Sequence, residues 1–362
     1  MSPPEARNIL IRAPNWVGDL VMATSSFADI RRTFPSARIT VLLPPGRDRV
    51  IDGSPDHDRI ILDRAGNSPL GLWRLSRELR AERFDLAIIF PNSFRAALIA
   101  FLAGIPRRVG YRRDLRSALL SDRVEYEREG RRRRPVPMPL FYAKLCERVG
   151  VTPGDGRPRL HVTQEVEEKA EAYRRALGIA PGEPLVGLNP GASFGASKLW
   201  PPAHFAELGD AITERHGLRT LLLFGPGEEA IAGDIASRMR HPPIFDPSRL
   251  VRLDVLKPLI RDLKLLVTTD TGPRQYAVAF GVPVVVVMGP TDPRYSGINL
   301  ERTEVVRHDV PCGPCHLKVC PIDHRCMTGI TPAEVLGRIE ELDRRTGRIE
   351  LVNREWGTGN RE

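Results

Sequence analysis

The residues best suited to chemistry follow the carboxyl ends of predicted strands. Leu265-Leu266-Val267 is a short apolar run typical of a covered parallel strand, and Asp270, Thr271 and Gly272 make a turn shortly after it. Asp270 and Thr271 are residue types that cap a helix N-terminus, and Pro273 suits the first helical turn. A helix N-terminus at the end of a parallel strand binds anions. This stretch therefore predicts an anion site, with a capped turn that holds no ligand as the alternative.

Asp19 has an equivalent place near the start of the chain. The sequence predicts a strand over Asn8–Arg12, a turn, and a helix from Leu20 to Thr33. Asp19 lies near the N-terminus of that helix, and Gly18 beside it leaves room for a substrate. A carboxylate at the mouth of a sheet can act as a general base. The alternative is an aspartate that only stabilises the helix dipole.

A small polar loop joins a strand predicted over 184–190 to a helix over 202–216. Ser193, Gly195 and Lys198 give this loop hydroxyl groups, backbone amides and one ammonium group. These groups suit a diphosphate, although their spacing is neither that of a P-loop nor that of a dinucleotide fingerprint. Glu228 follows the next strand, where it either binds ribose hydroxyls or caps the helix that begins there.

The charge of the chain points to an anionic partner. Lys and Arg number 54 against 45 Asp and Glu, which gives a net charge of +9. A GC-rich genome would produce a similar excess of arginine. No zinc-finger helix, aromatic-basic RNP pattern or other nucleic-acid motif is present, so we expect no nucleic-acid partner.

The densest positive run precedes a proline-rich stretch and is therefore predicted to be a loop. It ends in Arg131, Arg132, Arg133 and Arg134. One interpretation is a mobile arm that contacts an acidic acceptor or an anionic membrane leaflet. The other is a solvated charged loop.

Four of the five cysteines lie close together. Cys312, Cys315, Cys320 and Cys326 have the spacing C-x2-C-x4-C-x5-C, whereas Cys146 is distant. In a chain predicted to be cytoplasmic, such clustering favours thiols or a metal over disulfides. Four sulfurs can bind a structural zinc ion, but the usual pair of CxxC motifs is absent. An ordinary tight loop is the alternative.

Strands and helices alternate with short turns along most of the 362 residues, which indicates doubly wound α/β domains. The length predicts two domains, and turn formers over 151–158 mark their boundary. We predict a first domain over 1–160, a linker region over 161–183 and a second domain over 184–330. No apolar run is long enough to span a bilayer and no signal peptide begins the chain, so we expect a cytoplasmic protein.

Several motifs together resemble the ADP-heptose:lipopolysaccharide heptosyltransferases, most closely the heptosyltransferase II type. They occur in the order of that family: Pro14-Asn15-Trp16-Val17-Gly18-Asp19, Asn189-Pro190-Gly191-Ala192, Lys198-Leu199-Trp200-Pro201, Thr269-Asp270-Thr271-Gly272-Pro273-Arg274, Gly289-Pro290-Thr291-Asp292-Pro293 and Cys312-Gly313-Pro314-Cys315. The resemblance spans nearly the whole chain. It implies a GT-B fold, with two Rossmann-like domains facing a central cleft and a C-terminal segment (331–362) whose helix packs back towards the first domain.

The resemblance also implies an activity. The family transfers L-glycero-D-manno-heptose from ADP-heptose to the acidic inner core of lipopolysaccharide, with inversion at the anomeric carbon. Such an enzyme would be a monomer at the inner face of the cytoplasmic membrane and would require no cofactor, because Lys198 and helix dipoles can stabilise the leaving diphosphate. The alternatives are a related transferase with another nucleotide-sugar donor, or a catalytically idle nucleotide-sugar-binding protein.

By analogy each motif residue receives a role. Asp19 becomes the general base for the acceptor hydroxyl, and Lys198 with Ser193 holds the diphosphate. Asp270 would bind heptose hydroxyls, Thr271 and Gly272 would face the phosphates, and Glu228 would bind the ribose.

One residue departs from the family pattern. The family usually has histidine where this chain has Gln275. Glutamine donates a hydrogen bond but cannot become a cation near a phosphate. Either the histidine is dispensable, or activity is reduced, or the donor differs.

Overall fold

The computed structural model describes residues 6–66, 68–130 and 132–351. It divides into two compact units. The first comprises the chain up to His161 together with Arg294–Ile298, and the second comprises Val162–Pro293 and the chain from Asn299. The division lies beside the expected domain boundary.

The first unit contains a parallel six-stranded sheet in the order β3-β2-β1-β4-β5-β6. Its strands are β1 (Asn8–Arg12), β2 (Arg38–Leu43), β3 (Arg59–Leu62), β4 (Leu86–Ile89), β5 (Arg107–Tyr111) and β6 (Asp122–Val124). Strands β1, β2 and β4 are almost entirely apolar, because helices cover both faces of the sheet. The strand order reverses between β1 and β4, where a crevice opens at the carboxyl edge.

The helices of the first unit are α1 (Val17–Thr33), α2 (Asp48–Ile51), α3 (Pro69–Ala81), α4 (Phe94–Leu102) and α5 (Met138–Glu147), with a short 3₁₀ helix over Asp114–Leu119. Helices α1 and α5 pack together, and so do α3 and α4. Ser68 and Ser93 cap the starts of α3 and α4 by accepting hydrogen bonds from backbone amides. The core beneath α3 and α4 includes Leu10 of β1 and Ile89 of β4.

The second unit contains a parallel five-stranded sheet in the order β10-β9-β11-β12-β13. Its strands are β9 (Leu185–Asn189), β10 (Arg219–Leu222), β11 (Leu265–Thr269), β12 (Val284–Val287) and β13 (Thr303–Val306). The order reverses between β9 and β11, so the crevice of this sheet lies at the carboxyl ends of those two strands.

The helices of the second unit are α6 (Gln164–Ala176), α7 (Pro202–His216), α8 (Glu229–Arg238), α9 (Leu256–Arg261), α10 (Gly272–Phe280), α11 (Arg325–Thr328) and α12 (Pro332–Thr346). Short 3₁₀ helices cover Ala196–Lys198 and, in the segment assigned mainly to the first unit, Pro293–Ser296. Trp200 is fully buried, and its indole N–H donates to Ile330 O at 2.9 Å. This bond ties the loop before α7 to the segment before α12.

Two helices expected elsewhere belong to the second unit. Helix α6 lies in the region predicted as a linker, but it packs on α9. The resemblance implies that helix α12 packs back towards the first domain. Helix α12 packs on α7 and β13, and its Ile339 and Leu342 belong to the core of the second unit. Both helices are amphipathic, and these apolar faces are buried within that unit.

The arginine-rich run differs from the predicted loop. It forms a small antiparallel hairpin of β7 (Arg128–Glu129) and β8 (Arg132–Arg133). The Arg133 guanidinium stacks on the ring of Tyr126 at 3.9 Å, and Arg134 lies 3.8 Å from the carboxylate of Glu127. These contacts hold the β8 side of the hairpin against the preceding segment. Arg131 lies outside the described residues.

Candidate active site

Lys198 and Asp270 meet at the crevice of the second sheet. The Lys198 ammonium donates to Asp270 Oδ2 at 2.9 Å and to the Asp270 backbone carbonyl at 2.7 Å. Both side chains are largely buried, at 11% and 19% exposure. The Phe194 ring lies 5.1 Å from the ammonium, close enough for a cation–π contact. The structure thus joins the two residues that the sequence singled out in separate motifs.

Two further side chains bind the Asp270 carboxylate. Arg274 donates to Oδ1 at 3.0 Å, and the Thr291 hydroxyl donates to Oδ2 at 2.7 Å. Burial alone would raise the pKa of Asp270, but the charges of Lys198 and Arg274 and the bonds from Lys198 and Thr291 outweigh it and lower the pKa to about 2. Asp270 is therefore ionised at neutral pH.

Polar side chains fasten the ends of β9 and β11 to each other. Asn189 Nδ2 donates to Thr268 Oγ1 at 3.0 Å and to Thr271 Oγ1 at 3.3 Å. Thr269 Oγ1 donates to the Gly191 carbonyl at 2.9 Å. These bonds fix the geometry of the two turns that carry the Lys198 loop and Asp270.

The N-terminus of α10 has no side-chain cap. Thr271 is the N-cap residue, as predicted by type, but its hydroxyl turns towards Asn189 and Thr268 and caps no amide of the helix. Gly272 is the first helical residue. The first turn of α10 contains no acidic residue and its backbone amides are uncapped, so the positive end of its dipole faces the crevice. That arrangement suits a phosphate.

The backbone of Ser197 is held by the cysteine-rich segment. Its N–H donates to Lys318 O at 3.0 Å, and its hydroxyl donates to Leu317 O at 2.5 Å. The Ser197 carbonyl lies 2.6 Å from His324 Nε2, which must carry the proton because a carbonyl only accepts. Gly195 is required here, since a Cβ at that position would come within 2.4 Å of Lys318 O. Segment 317–324 thus determines where the Lys198 loop lies.

Glu228 lies beside the same crevice. Its carboxylate accepts a hydrogen bond from Gly225 N at 2.8 Å, and a Cβ added to Gly191 would overlap it. Glu228 therefore packs against the turn that follows β9. Ser193 is an exposed residue of that loop.

Asp19 lies in the first turn of α1, which begins earlier than predicted. The side chain is half-buried. Burial raises the pKa of Tyr142 on α5 well above its ordinary value, and the nearby charge of Asp19 adds to this effect. Asp19 and Tyr142 lie on α1 and α5, which pack together, and the Tyr142 phenol stays protonated.

A buried ion network that the sequence did not predict holds the turn before α1, the helix that carries Asp19. Arg12, at the end of β1, donates to Asn15 Oδ1 at 2.8 Å and lies 3.6 Å from Asp63. Arg95 binds the same Asp63 carboxylate through two bonds of 2.5 and 2.7 Å. Burial opposes ionisation of Asp63, but Arg95 and Arg12 hold its pKa below the ordinary value. The network fixes the turn that leads into α1.

The four clustered cysteines are free thiols, with Cys312 exposed, Cys315 and Cys320 half-buried, and Cys326 buried. Burial raises the pKa of Cys326, and the three neighbouring thiols raise it further. Across the described ranges, no three His, Cys, Asp or Glu side chains are arranged to hold a metal ion. In this arrangement the thiols do not make the tetrahedral set that zinc needs. Zinc binding remains a prediction, which metal analysis of protein purified without chelators can test.

Gln275 is buried in the first half of α10, one residue after Arg274. Asp270 precedes this helix, and the Arg274 side chain reaches its carboxylate. The position that carries histidine in the family is thus close to the charged cluster, and here it is neutral at every pH.

Known proteins of similar sequence and fold identify the family of this chain. The model of glycosyltransferase family 9 (heptosyltransferase) matches residues 72–325. The chain is 30% identical to lipopolysaccharide heptosyltransferase 2 of Escherichia coli K12, over 92% of this chain and 98% of the relative. The solved structure of the E. coli ADP-heptose LPS heptosyltransferase II is similar with a TM-score of 0.72 and 26% identity, over 92% of this chain and 98% of that one.

A family 9 glycosyltransferase from Veillonella parvula has a similar fold, with a TM-score of 0.78 and 21% identity over 94% of this chain and 98% of that one. These comparisons confirm the resemblance and the GT-B fold class predicted from the motifs. The chain belongs to glycosyltransferase family 9, the heptosyltransferases.

Proposed function

We propose that this enzyme transfers L-glycero-D-manno-heptose from ADP-heptose to heptosyl-Kdo2-lipid A, with inversion at the anomeric carbon. The names of the relatives support the donor and the second heptosyl step. The observation that carries the proposal is the Lys198–Asp270 pair beside the uncapped N-terminus of α10. A nucleotide diphosphate-sugar needs a cation for its diphosphate and an acceptor for its sugar hydroxyls, and this pair supplies both.

A count of hydrogen bonds supports the donor roles. A lysine ammonium has three N–H donors, of which Lys198 uses two on Asp270. The third is left for a phosphate oxygen, together with the first turn of α10. A carboxylate accepts about four bonds, and Asp270 receives three from side chains, which leaves one for a heptose hydroxyl. We assign Thr271 and Gly272 to the phosphates, and Ser193 and Glu228 to the outer diphosphate and the ribose.

In the acceptor half, Asp19 takes the proton from the attacking hydroxyl. The hydroxyl oxygen forms the new bond to the anomeric carbon, while the bond from that carbon to the ADP oxygen breaks on the opposite face. Lys198 and the α10 dipole stabilise the charge that develops on the leaving ADP. Because Lys198 and the α10 dipole can stabilise the charge on the leaving ADP without a divalent cation, we propose a metal-independent reaction.

The direct test measures transfer from ADP-heptose onto Kdo2-lipid A with and without the first heptose. We expect transfer only onto the heptosylated acceptor, and we expect calorimetry to give tighter binding of ADP than of UDP. Transfer onto the unheptosylated acceptor alone would place the enzyme at the first heptosyl step. Equal affinity for ADP and UDP would contradict an ADP-sugar donor.

His324 should act as a positioning residue for Lys198. Replacement by methionine removes the proton that His324 Nε2 donates to Ser197 O, whereas glutamine keeps a donor at similar length. We expect His324→Met to raise the KM for the donor by roughly three- to tenfold, as loss of one hydrogen bond implies. His324→Gln should stay near the wild-type KM.

Both variants carry the same backbone cost, because residue 324 has a φ of +58°. His308→Met is a matched control, since His308 pairs with Glu334 on α12 instead of the Lys198 loop. Equal KM values for His324→Met and His324→Gln would show that this hydrogen bond does not position the loop.

A further inference from the structure

An exposed apolar surface lies on one face of the first unit. Helices α3 and α4 and the 3₁₀ helix over 114–119 present large apolar side chains to solvent, and we call these the α3–α4 surface: Leu70, Trp73, Phe94, Phe101 and Leu115. About half of Leu70, Trp73 and Phe94 is exposed, as is 82% of Leu115. Single exposed apolar residues are normal, but five on adjoining elements mark an interaction site.

The elements that carry this surface adjoin one another. Helix α3 packs on α4, and α4 packs on the 3₁₀ helix. Leu70 and Trp73 lie in the first half of α3, and Phe94 is the first residue of α4. Both helices start just after the carboxyl ends of β3 and β4, so the surface borders the edge of the sheet where Asp63 and Arg95 lie.

Arginines surround and partly cover the apolar side chains. The Arg77 guanidinium lies over the Trp73 ring at 4.8 Å, and that of Arg108 lies over the Phe101 ring at 5.4 Å. Arg74 is an exposed neighbour of Trp73 on α3. A groove of about 460 Å³ between β3 and α3 adds Arg64, with Glu78 as its one acidic lining residue among those described; Arg59 also lines it but is paired with Glu82 at 2.6 Å. The surface therefore combines aromatic rings with a local excess of positive charge.

We propose that the α3–α4 surface docks on a bilayer leaflet that contains anionic phospholipids. Aromatic side chains with arginines beside them suit the boundary between headgroups and acyl chains, where the ring is buried and the guanidinium meets a phosphate. The excess of arginine over acidic residues favours an anionic lipid over a neutral one. The described residues form no helix long and apolar enough to cross a bilayer, so the contact is interfacial.

This inference rests on the proposed function, because a lipid-anchored acceptor needs its sugar headgroup at the carboxyl edge of the first sheet. The inference places the main membrane contact on α3 and α4, whereas one interpretation of the sequence placed it on the arginine-rich run that forms the hairpin of β7 and β8. In the hairpin, Arg133 and Arg134 already have partners in Tyr126 and Glu127.

The test is sedimentation of the full-length protein with vesicles of phosphatidylcholine, alone or mixed with phosphatidylglycerol. Wild type should bind the mixed vesicles and bind phosphatidylcholine at least tenfold more weakly. Leu70→Ser with Trp73→Ser should lower binding to the mixed vesicles by tenfold or more, because it removes apolar insertion. Arg74→Gln with Arg77→Gln should lower it by a similar factor and weaken its dependence on salt. Leu250→Ser, an exposed apolar residue of the second unit, is the matched control.

Transfer to a water-soluble, deacylated acceptor separates this inference from the proposed function. The two double variants should keep wild-type transfer rates on that acceptor, which shows that they fold. Vesicle binding that is unaffected by the α3 variants would overturn the inference. The inference would also be overturned if the protein did not bind vesicles and instead self-associated in a way that the variants abolish. The surface would then join two copies of the chain. If the vesicle results hold but no heptose is transferred to any acceptor, the proposed function alone fails.

Discussion

When Lys198 is replaced by methionine, both donor affinity and turnover should fall. Methionine keeps most of the side-chain volume but loses the ammonium that we assign to the diphosphate. Loss of one preorganised charge at a leaving group typically lowers kcat by 10²- to 10³-fold. The dissociation constant for ADP should rise about tenfold or more, because the phosphates lose a charge-assisted hydrogen bond. Calorimetry with ADP and initial rates at saturating acceptor measure the two effects separately.

Lys264→Met is the control for this variant. Lys264 precedes β11, whereas Asp270, the partner of Lys198, follows it. Lys264 therefore lies at the opposite end of this strand from the Lys198–Asp270 pair. Lys264 is also ion-paired, with Glu350. Its replacement should leave kcat and ADP affinity unchanged. Wild-type ADP affinity in Lys198→Met would contradict the assigned role.

The same variant should change how stability depends on acid. The pKa of Asp270 is lowered to about 2 from an ordinary value of 3.8. The ionised carboxylate therefore stabilises the folded protein above about pH 4, and this contribution to the free energy of unfolding is lost as pH falls towards 2. Removal of Lys198 raises this pKa, because Lys198 is the largest of the influences that lower it. Less stabilisation then remains above pH 4. Melting temperatures of both proteins between pH 2 and 6 should converge at the acid end.

Asp19→Asn should abolish most turnover and leave donor binding intact. The amide keeps the shape of the side chain but cannot accept the proton of the acceptor hydroxyl, and loss of a general base costs roughly 10²- to 10⁴-fold in rate. Asp19 belongs to the first unit, whereas every residue assigned to the donor belongs to the second. Calorimetry should therefore give a wild-type dissociation constant for ADP.

A loss of helix-dipole stabilisation must be separated from the loss of a base. Asp48→Asn provides that comparison, because Asp48 is the acidic residue in the first turn of α2. It should melt at a slightly lower temperature and keep its activity. Near wild-type turnover in Asp19→Asn would mean that another group takes the proton.

The sequence predicted the fold because most of its strands are short and largely apolar. The strand predicted over Asn8–Arg12 has the bounds that the structure shows, and the predicted run Leu265-Leu266-Val267 forms most of β11. Strands β6 and β13 were missed, because each is short and mixes charged with apolar residues. The hairpin of β7 and β8 was missed for a related reason: its stabilising partners, Tyr126 and Glu127, lie outside the charged run.

Motif residues could be located from sequence, but their partners could not. Asp270 and Lys198 were identified separately, yet their direct ion pair depends on the order of β9 and β11 in the sheet. Thr291 lies shortly after the carboxyl end of β12, the neighbour of β11, and a position of that kind is a signal that could have placed it beside Asp270. Arg12, Asp63 and Arg95 also lie at or after strand ends, but each belongs to a different βα unit, and only the order of strands in the folded sheet brings them together.

The hydrogen bonds between segment 317–324 and Ser197 have a consequence for building hybrid enzymes from this family. All three polar groups of Ser197 are bonded to residues more than a hundred positions later in the chain. A loop grafted alone over 191–201 would arrive without the carbonyls and imidazole that shape it. The structural unit that shapes the donor site is therefore discontinuous in sequence. A hybrid enzyme should receive the loop before α7 and the stretch before α11 together from the same parent.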